Sequence, residues 1–140
     1  MLRSIPTTPR EWLRSCRLAW ARGGACAASA GQSGGETGLD YFRTRDAAGQ
    51  AVQREAFAAH IALANAYDKT LVVHDRDAHD DILDVIDSEG PPARIVMHCF
   101  SGDDHFARAC LDRGAYLSFA GTVTFKNNDQ LRDALRLGPS

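Results

Sequence analysis

From residue 36 onward the apolar positions of this chain alternate between two periods. Residues 51–66 are alanine-rich, with Phe57, Ile61 and Ala64 at helical spacing. Thr70-Leu71-Val72-Val73 is a short β-type run that leads into His74. Ile82, Val85 and Ile86 mark a second helix, stopped by Gly90 and the Pro91-Pro92 pair. Arg94-Ile95-Val96-Met97 predicts a second strand, ending in His98. Phe106, Ala107, Cys110 and Leu111 give a helix closed by Gly114, and Ala115-Tyr116-Leu117-Ser118-Phe119 a third strand ending at Gly121. Leu131, Ala134 and Leu135 predict a last helix. Strands that alternate with helices of about ten residues imply βαβ units and a parallel sheet, so the fold class is α/β.

Residues 1–35 read differently. They carry five arginines against the single acid Glu11, while the remainder carries eleven basic against seventeen acidic residues. Thr8, Pro9 and Glu11 form a helix-start pattern, and Trp12, Leu13, Cys16, Ala19 and Trp20 follow on one helical face up to Gly23-Gly24. The rest, to Gly35, is Ala, Gly and Ser with little to pack. This Arg-rich, acid-poor stretch has some features of a targeting peptide, but Arg22 interrupts the apolar run a secretory signal needs, so none is expected. Residues 1–35 are thus set apart from a domain over 36–140.

The net charge of −2 gives no global pull toward nucleic acid or an anionic membrane. No apolar run approaches the roughly 18 residues of a membrane span. The four cysteines, Cys16, Cys26, Cys99 and Cys110, form no CxxC and no dense framework. They are expected as buried free thiols, which suits a cytoplasmic protein.

Candidate chemistry gathers at the strand ends. The stretch GGETGLDYFR (34–43) reads as the tip of a strand opening into a loop, with Glu36 alone between glycines. Right-handed crossovers place all strand C-termini on one rim, where α/β ligand sites lie, so Glu36, His74 and His98 are expected to converge there. Two imidazoles and a carboxylate suit Zn²⁺, Mn²⁺ or Fe, and a carboxylate also bridges paired metals in phosphoryl-ester hydrolysis. The spacing matches no zinc-finger or HExxH pattern, and any one of these histidines alone is more often a hydrogen-bonded structural residue. Arg76 is placed to reach a substrate phosphate or carboxylate, or to pair with Asp75 or Asp77. Ser101-Gly102-Asp103 reads as a turn and helix cap able to hold an anion. Cys99 is expected to be a small packed residue. His60, His79 and His105 are expected to face solvent, and the seven acids from Asp75 to Glu89 to form a solvated helix face.

Taken together, GETGLDYFR, VVHDRDAHDDIL, MHCFSG and YLSFAGTVTFKN resemble the TatD family of metal-dependent deoxyribonucleases, from about Gly35 to about Leu137. The resemblance implies a (β/α)₈ barrel of TIM type, a two-metal site and hydrolysis of DNA phosphodiesters, usually from the 3′ end. It makes Glu36 the carboxylate that bridges the two metals and His74 and His98 ligands of the second. Mg²⁺ is the expected ion, with Mn²⁺ or Zn²⁺ as substitutes, and single-stranded DNA the expected substrate. Arg76 and Ser101 become candidates for substrate binding. Two parts of the family pattern have no counterpart here. The family's opening His-x-His pair is missing, the first histidine being His60, and so is the Asp of a later Glu-Thr-Asp stretch. The chain is therefore expected to cover about strands 3 to 6 of the barrel, a partial domain whose unpaired edges favour self-association. A related hydrolase acting on another ester or amide, such as an aminoacyl-tRNA, and a truncated product without catalysis are the alternatives.

Overall fold

The computed structural model describes residues 33–138. The helix expected after Thr8, and Cys16 and Cys26, lie outside them. Strand β1 (Ser33–Asp40) is followed by helix α1 (Ala47–Ala66), β2 (Thr70–Arg76), α2 (His79–Glu89), β3 (Ile95–Met97), α3 (Asp104–Asp112), β4 (Ala115–Leu117), a 3₁₀ turn (Gly121–Thr124) and α4 (Asp129–Arg136). The strands pair in chain order, β1-β2-β3-β4, and every pair is parallel. This order has no reversal, so it winds in one direction as a (β/α)₈ barrel does and lacks the switch point of doubly wound sheets. The chain is an α/β arc of barrel type.

Alternation along the strands decides which side is covered. Leu39, Leu71, Val73, Ile95, Met97 and Ala115 are buried and meet Phe57 and Ile61 of α1, Ile82 and Ile86 of α2, Phe106 and Cys110 of α3, and Leu131 of α4 in one core. Burying each large aliphatic or aromatic side chain there contributes about 1.5–3 kcal/mol. The residues between them, Val72, His74, Val96, His98 and Tyr116, turn to the opposite face. That face carries no helix among the described residues, and Tyr116 is 69% exposed on it. In a closed barrel it is the interior.

The helix ends follow from local chemistry. Asp46 caps α1, accepting from the Gly49 N–H at 2.7 Å, so the helix starts four residues before the apolar spacing alone indicates. Asp103 caps α3 by accepting from the Phe106 N–H at 2.8 Å, as its turn-and-cap sequence predicts. Two expectations about the strands need correction. Glu36 is inside β1 rather than at its tip, and His74 is inside β2, which runs on to Arg76. The 3₁₀ turn at Gly121–Thr124 is also new, formed where Thr and Val alternate without a strand partner.

Candidate metal site at the open face of the sheet

Glu36 reaches the open face through an irregularity of one residue. Gly34 pairs with Leu71 and Thr37 with Val73, so two residues of β1 stand opposite Val72 alone. Without that bulge the alternation would set Glu36 opposite Val73, on the helix-covered side. After it, Gly38 pairs with His74 and Asp40 with Arg76. Gly38 adopts φ +138°, and a Cβ there would lie 1.9 Å from the His74 carbonyl oxygen. Only glycine lets the two strands approach so closely at this point.

Three of the expected residues come together. Glu36 Oε1 lies 3.3 Å from His74 Nδ1 and 4.0 Å from His98 Nε2, with the Glu36 side chain 47% exposed. His98 is carried past the end of β3, where its N–H donates to the Val73 carbonyl at 2.8 Å. On the far side of the His74 ring, Nε2 is 3.3 Å from Asp40 Oδ2. Asp40 also accepts the Arg43 N–H on Oδ1 at 2.9 Å. Burial works to raise the Asp40 carboxyl, but the Arg43 N–H and His74 outweigh it and hold it below its ordinary value. Asp40 is an addition to the residues that the sequence motifs point to. Its place two residues beyond Gly38, on the face of Glu36, was the available signal.

The donor set fits a divalent ion in chemistry and partly in distance. Donors about 2.1 Å from one ion stand about 3.0–3.4 Å apart, and the Glu36–His74 separation falls in that span. His98 is outside it and must swing in. Accordingly, no three His, Cys, Asp or Glu groups already surround one point among the described residues.

A cleft of about 620 Å³ opens beside β1, lined by Glu36, Asp40, His74 and Arg76, by Arg43 of the turn after β1, and by Gln53 and His60 of α1. Arg76 lies in it with its guanidinium carbon 3.9 Å above the Phe42 ring centre, rather than paired with Asp75 or Asp77. Ser101 is not part of the cleft lining. It is exposed in the β3–α3 loop, with its hydroxyl 3.5 Å from the Asp75 carbonyl.

Several surroundings differ from the sequence reading. His60 and His79 are only half-exposed, each bonded to a strand residue, whereas His105 faces solvent. His60 packs beneath β1 with Nδ1 2.6 Å from Thr37 Oγ1, and burial lowers its pKa. His79 bonds to Asp75, which raises its pKa, and stacks on Phe106 with ring centres 4.2 Å apart. The acidic run is only partly a solvated face. The Asp75 side chain is just 6% exposed, and Asp81 joins Tyr41 and Arg54 in a bonded trio. Cys99 is exposed instead of packed, with a left-handed backbone (φ +48°) and its sulfur 3.1 Å from His98 Nε2. Cys110 is buried as expected, and desolvation pushes its thiol up to about 12.

Comparison with known proteins agrees with this architecture. A family model described as TatD related DNase matches residues 21–140. A Mycobacterium tuberculosis protein named uncharacterized metal-dependent hydrolase TatD is 47% identical over 108 residues, which are 75% of this chain and 41% of that one. The Escherichia coli metal-dependent hydrolase YcfH is 43% identical over 106 residues, 75% of this chain and 39% of its own. The chain thus spans about two fifths of the length of these relatives. Among solved structures, the TatD homolog YJJV of Escherichia coli superposes with a TM-score of 0.75 at 26% identity, over 91% of this chain and 47% of that one. A TatD family hydrolase of Entamoeba histolytica shares the fold at 22% identity and a TM-score of 0.66, over 77% of this chain and 36% of its own. With a family model matched over 120 of 140 residues, and relatives 47% and 43% identical over three quarters of it, the chain belongs to the TatD-related DNase family.

Proposed function

We propose that this chain supplies the Glu36, His74 and His98 part of a divalent-metal hydrolase site that acts on DNA phosphodiesters, with a single strand as the preferred substrate. The observation that carries the proposal is Glu36 Oε1 lying between His74 Nδ1 and His98 Nε2 on the open face. Mg²⁺ is the ion proposed, with Mn²⁺ or Zn²⁺ able to replace it and two ions in the intact family site. When bound, such ions offset phosphate charge and make water nucleophilic near neutral pH.

The chain's own residues have separable roles in this reading. Glu36, His74 and His98 would hold the ions, with Glu36 as the carboxylate they share and the two imidazoles as ligands of the second. Arg76 and Arg43, both in the cleft lining, attract the phosphate, two cations in a chain whose net charge is negative. Ser101 lies outside the cleft lining and is left as a contact for more distant parts of the substrate. A cytoplasmic setting is part of this proposal; no described helix is long and apolar enough to cross a membrane.

A second reading, a chain without catalytic turnover, is favoured by one observation: no three His, Cys, Asp or Glu groups surround one point among the described residues. Cleavage of an end-labelled single strand with Mg²⁺ or Mn²⁺, run beside His98→Ala and beside an aminoacyl ester as substrate, separates the readings. We expect metal-dependent shortening of the DNA that falls at least about tenfold in His98→Ala. Folded protein that binds Mn²⁺ and leaves DNA intact selects the second reading, and turnover of the ester alone changes the substrate class.

A further inference from the structure

The hydrogen bond on the far side of His74 has a direction, and that direction bears on metal binding. For His74 to offer Nδ1 to an ion, its ring proton must sit on Nε2. Nε2 is the nitrogen 3.3 Å from Asp40 Oδ2, and a carboxylate only accepts. Asp40 is itself held from three directions. The Arg43 N–H occupies Oδ1 at 2.9 Å. Its main-chain N–H donates to Gln53 Oε1 at 2.8 Å, and its carbonyl lies 3.4 Å from Gln53 Nε2, so α1 clamps the residue at the unpaired edge of β1.

We propose that Asp40 is a positioning residue for the metal site, holding the His74 ring proton on Nε2 and thereby presenting the Nδ1 lone pair toward Glu36 and the ion. The inference rests on the metal-site reading above. Metal-binding histidines commonly donate their second nitrogen to a carboxylate, and loss of such a partner weakens metal affinity about 10–100-fold. In the metal-free protein Glu36 competes with Asp40, since its Oε1 is also 3.3 Å from the ring, at Nδ1. Asp40 has the advantage because its side chain is 19% exposed against 47% for Glu36, which is better satisfied by water.

Asp40→Asn separates positioning from mere support. The Arg43 N–H requires an acceptor, so the Asn carbonyl takes the place of Oδ1 and the Asn NH₂ faces His74. The ring then accepts at Nε2 and carries its proton on Nδ1, bonded to Glu36, with the fold and both Asp40 contacts retained. The Arg43 guanidinium, 3.8 Å from Oδ2 and largely in solvent, does not prevent this.

The test is ¹⁵N NMR of the imidazole nitrogens in the metal-free full chain, at a pH where the ring is neutral. His74→Gln assigns the signal, and Mn²⁺ titrations of the same proteins accompany it. We expect the Nε2–H tautomer in the wild type, the Nδ1–H tautomer in Asp40→Asn, and Mn²⁺ affinity about 10–100-fold weaker in both Asp40→Asn and Asp40→Ala. The same tautomer in wild type and Asp40→Asn, or unchanged Mn²⁺ affinity in both variants, overturns the role of Asp40. An inverted tautomer in a protein that binds no Mn²⁺ even as wild type upholds the orientation of the ring and overturns the metal reading instead.

Discussion

Gly38 shows how much one residue controls at this site. Its φ of +138° and the 1.9 Å approach of a would-be Cβ to the His74 carbonyl make it a steric as well as a conformational requirement. Gly90 is a useful contrast, because its φ is +82° but a Cβ there meets nothing within 4 Å. Gly90→Ala should therefore cost only the left-handed backbone term, about 1–2 kcal/mol. Gly38→Ala should cost roughly 3 kcal/mol or more and pull Glu36 away from His74. Urea unfolding of the two variants checks this, and equal losses would show that the approach of the two strands is not the cause.

At the scale of elements, two histidines tie helices to the sheet with opposite electrical consequences. His79 opens α2, and its bond to Asp75 raises its pKa above the ordinary 6.5. Its contribution is full below about pH 6.5 and fades as pH rises through the folded value. His60 in α1 is lowered from 6.5 by burial, so its contribution is present above about pH 6.5 and is lost as pH falls through the folded value. Melting temperatures across about pH 5 to 9 should fall on both sides of a maximum. His79→Gln should flatten the alkaline slope and His60→Gln the acid one. If each variant leaves its own slope unchanged, these two bonds do not set the pH dependence.

For the whole molecule, the decisive feature is a sheet with helices on one side. Among the described residues β1 and β4 each pair on one side only, and the face with Val72, Val96 and Tyr116 meets no helix. Gln53 blunts the β1 edge at Asp40, whereas β4 exposes Tyr116. We propose that the isolated chain self-associates through these surfaces, as open sheet edges do. Sedimentation should show species larger than a monomer, and Tyr116→Lys should shift them toward monomer. A monodisperse wild-type monomer with a sharp melt would falsify this proposal.

Order and type of the elements are legible in the sequence, because apolar spacing in Phe57-Ile61-Ala64 or Leu71-Val73 reports which side meets the core, and burial of that side is what folding rewards. The motifs around Glu36, His74 and His98 likewise pointed, through family resemblance, to residues that the structure brings together on the open face. What local pattern could not carry was register. The bulge opposite Val72 turns Glu36 to the open face, and its cause lies in the pairing of two strands more than thirty residues apart. The same holds for His60 and His79, which look like surface residues along their helices until the strands bring up Thr37 and Asp75. Asp40 became visible for the same reason: its carboxylate acquires a meaning only when β2 places the His74 ring beside it. Side-chain type is written locally, but hydrogen-bond partnership depends on which strands meet and in what register. Tertiary packing alone decides that.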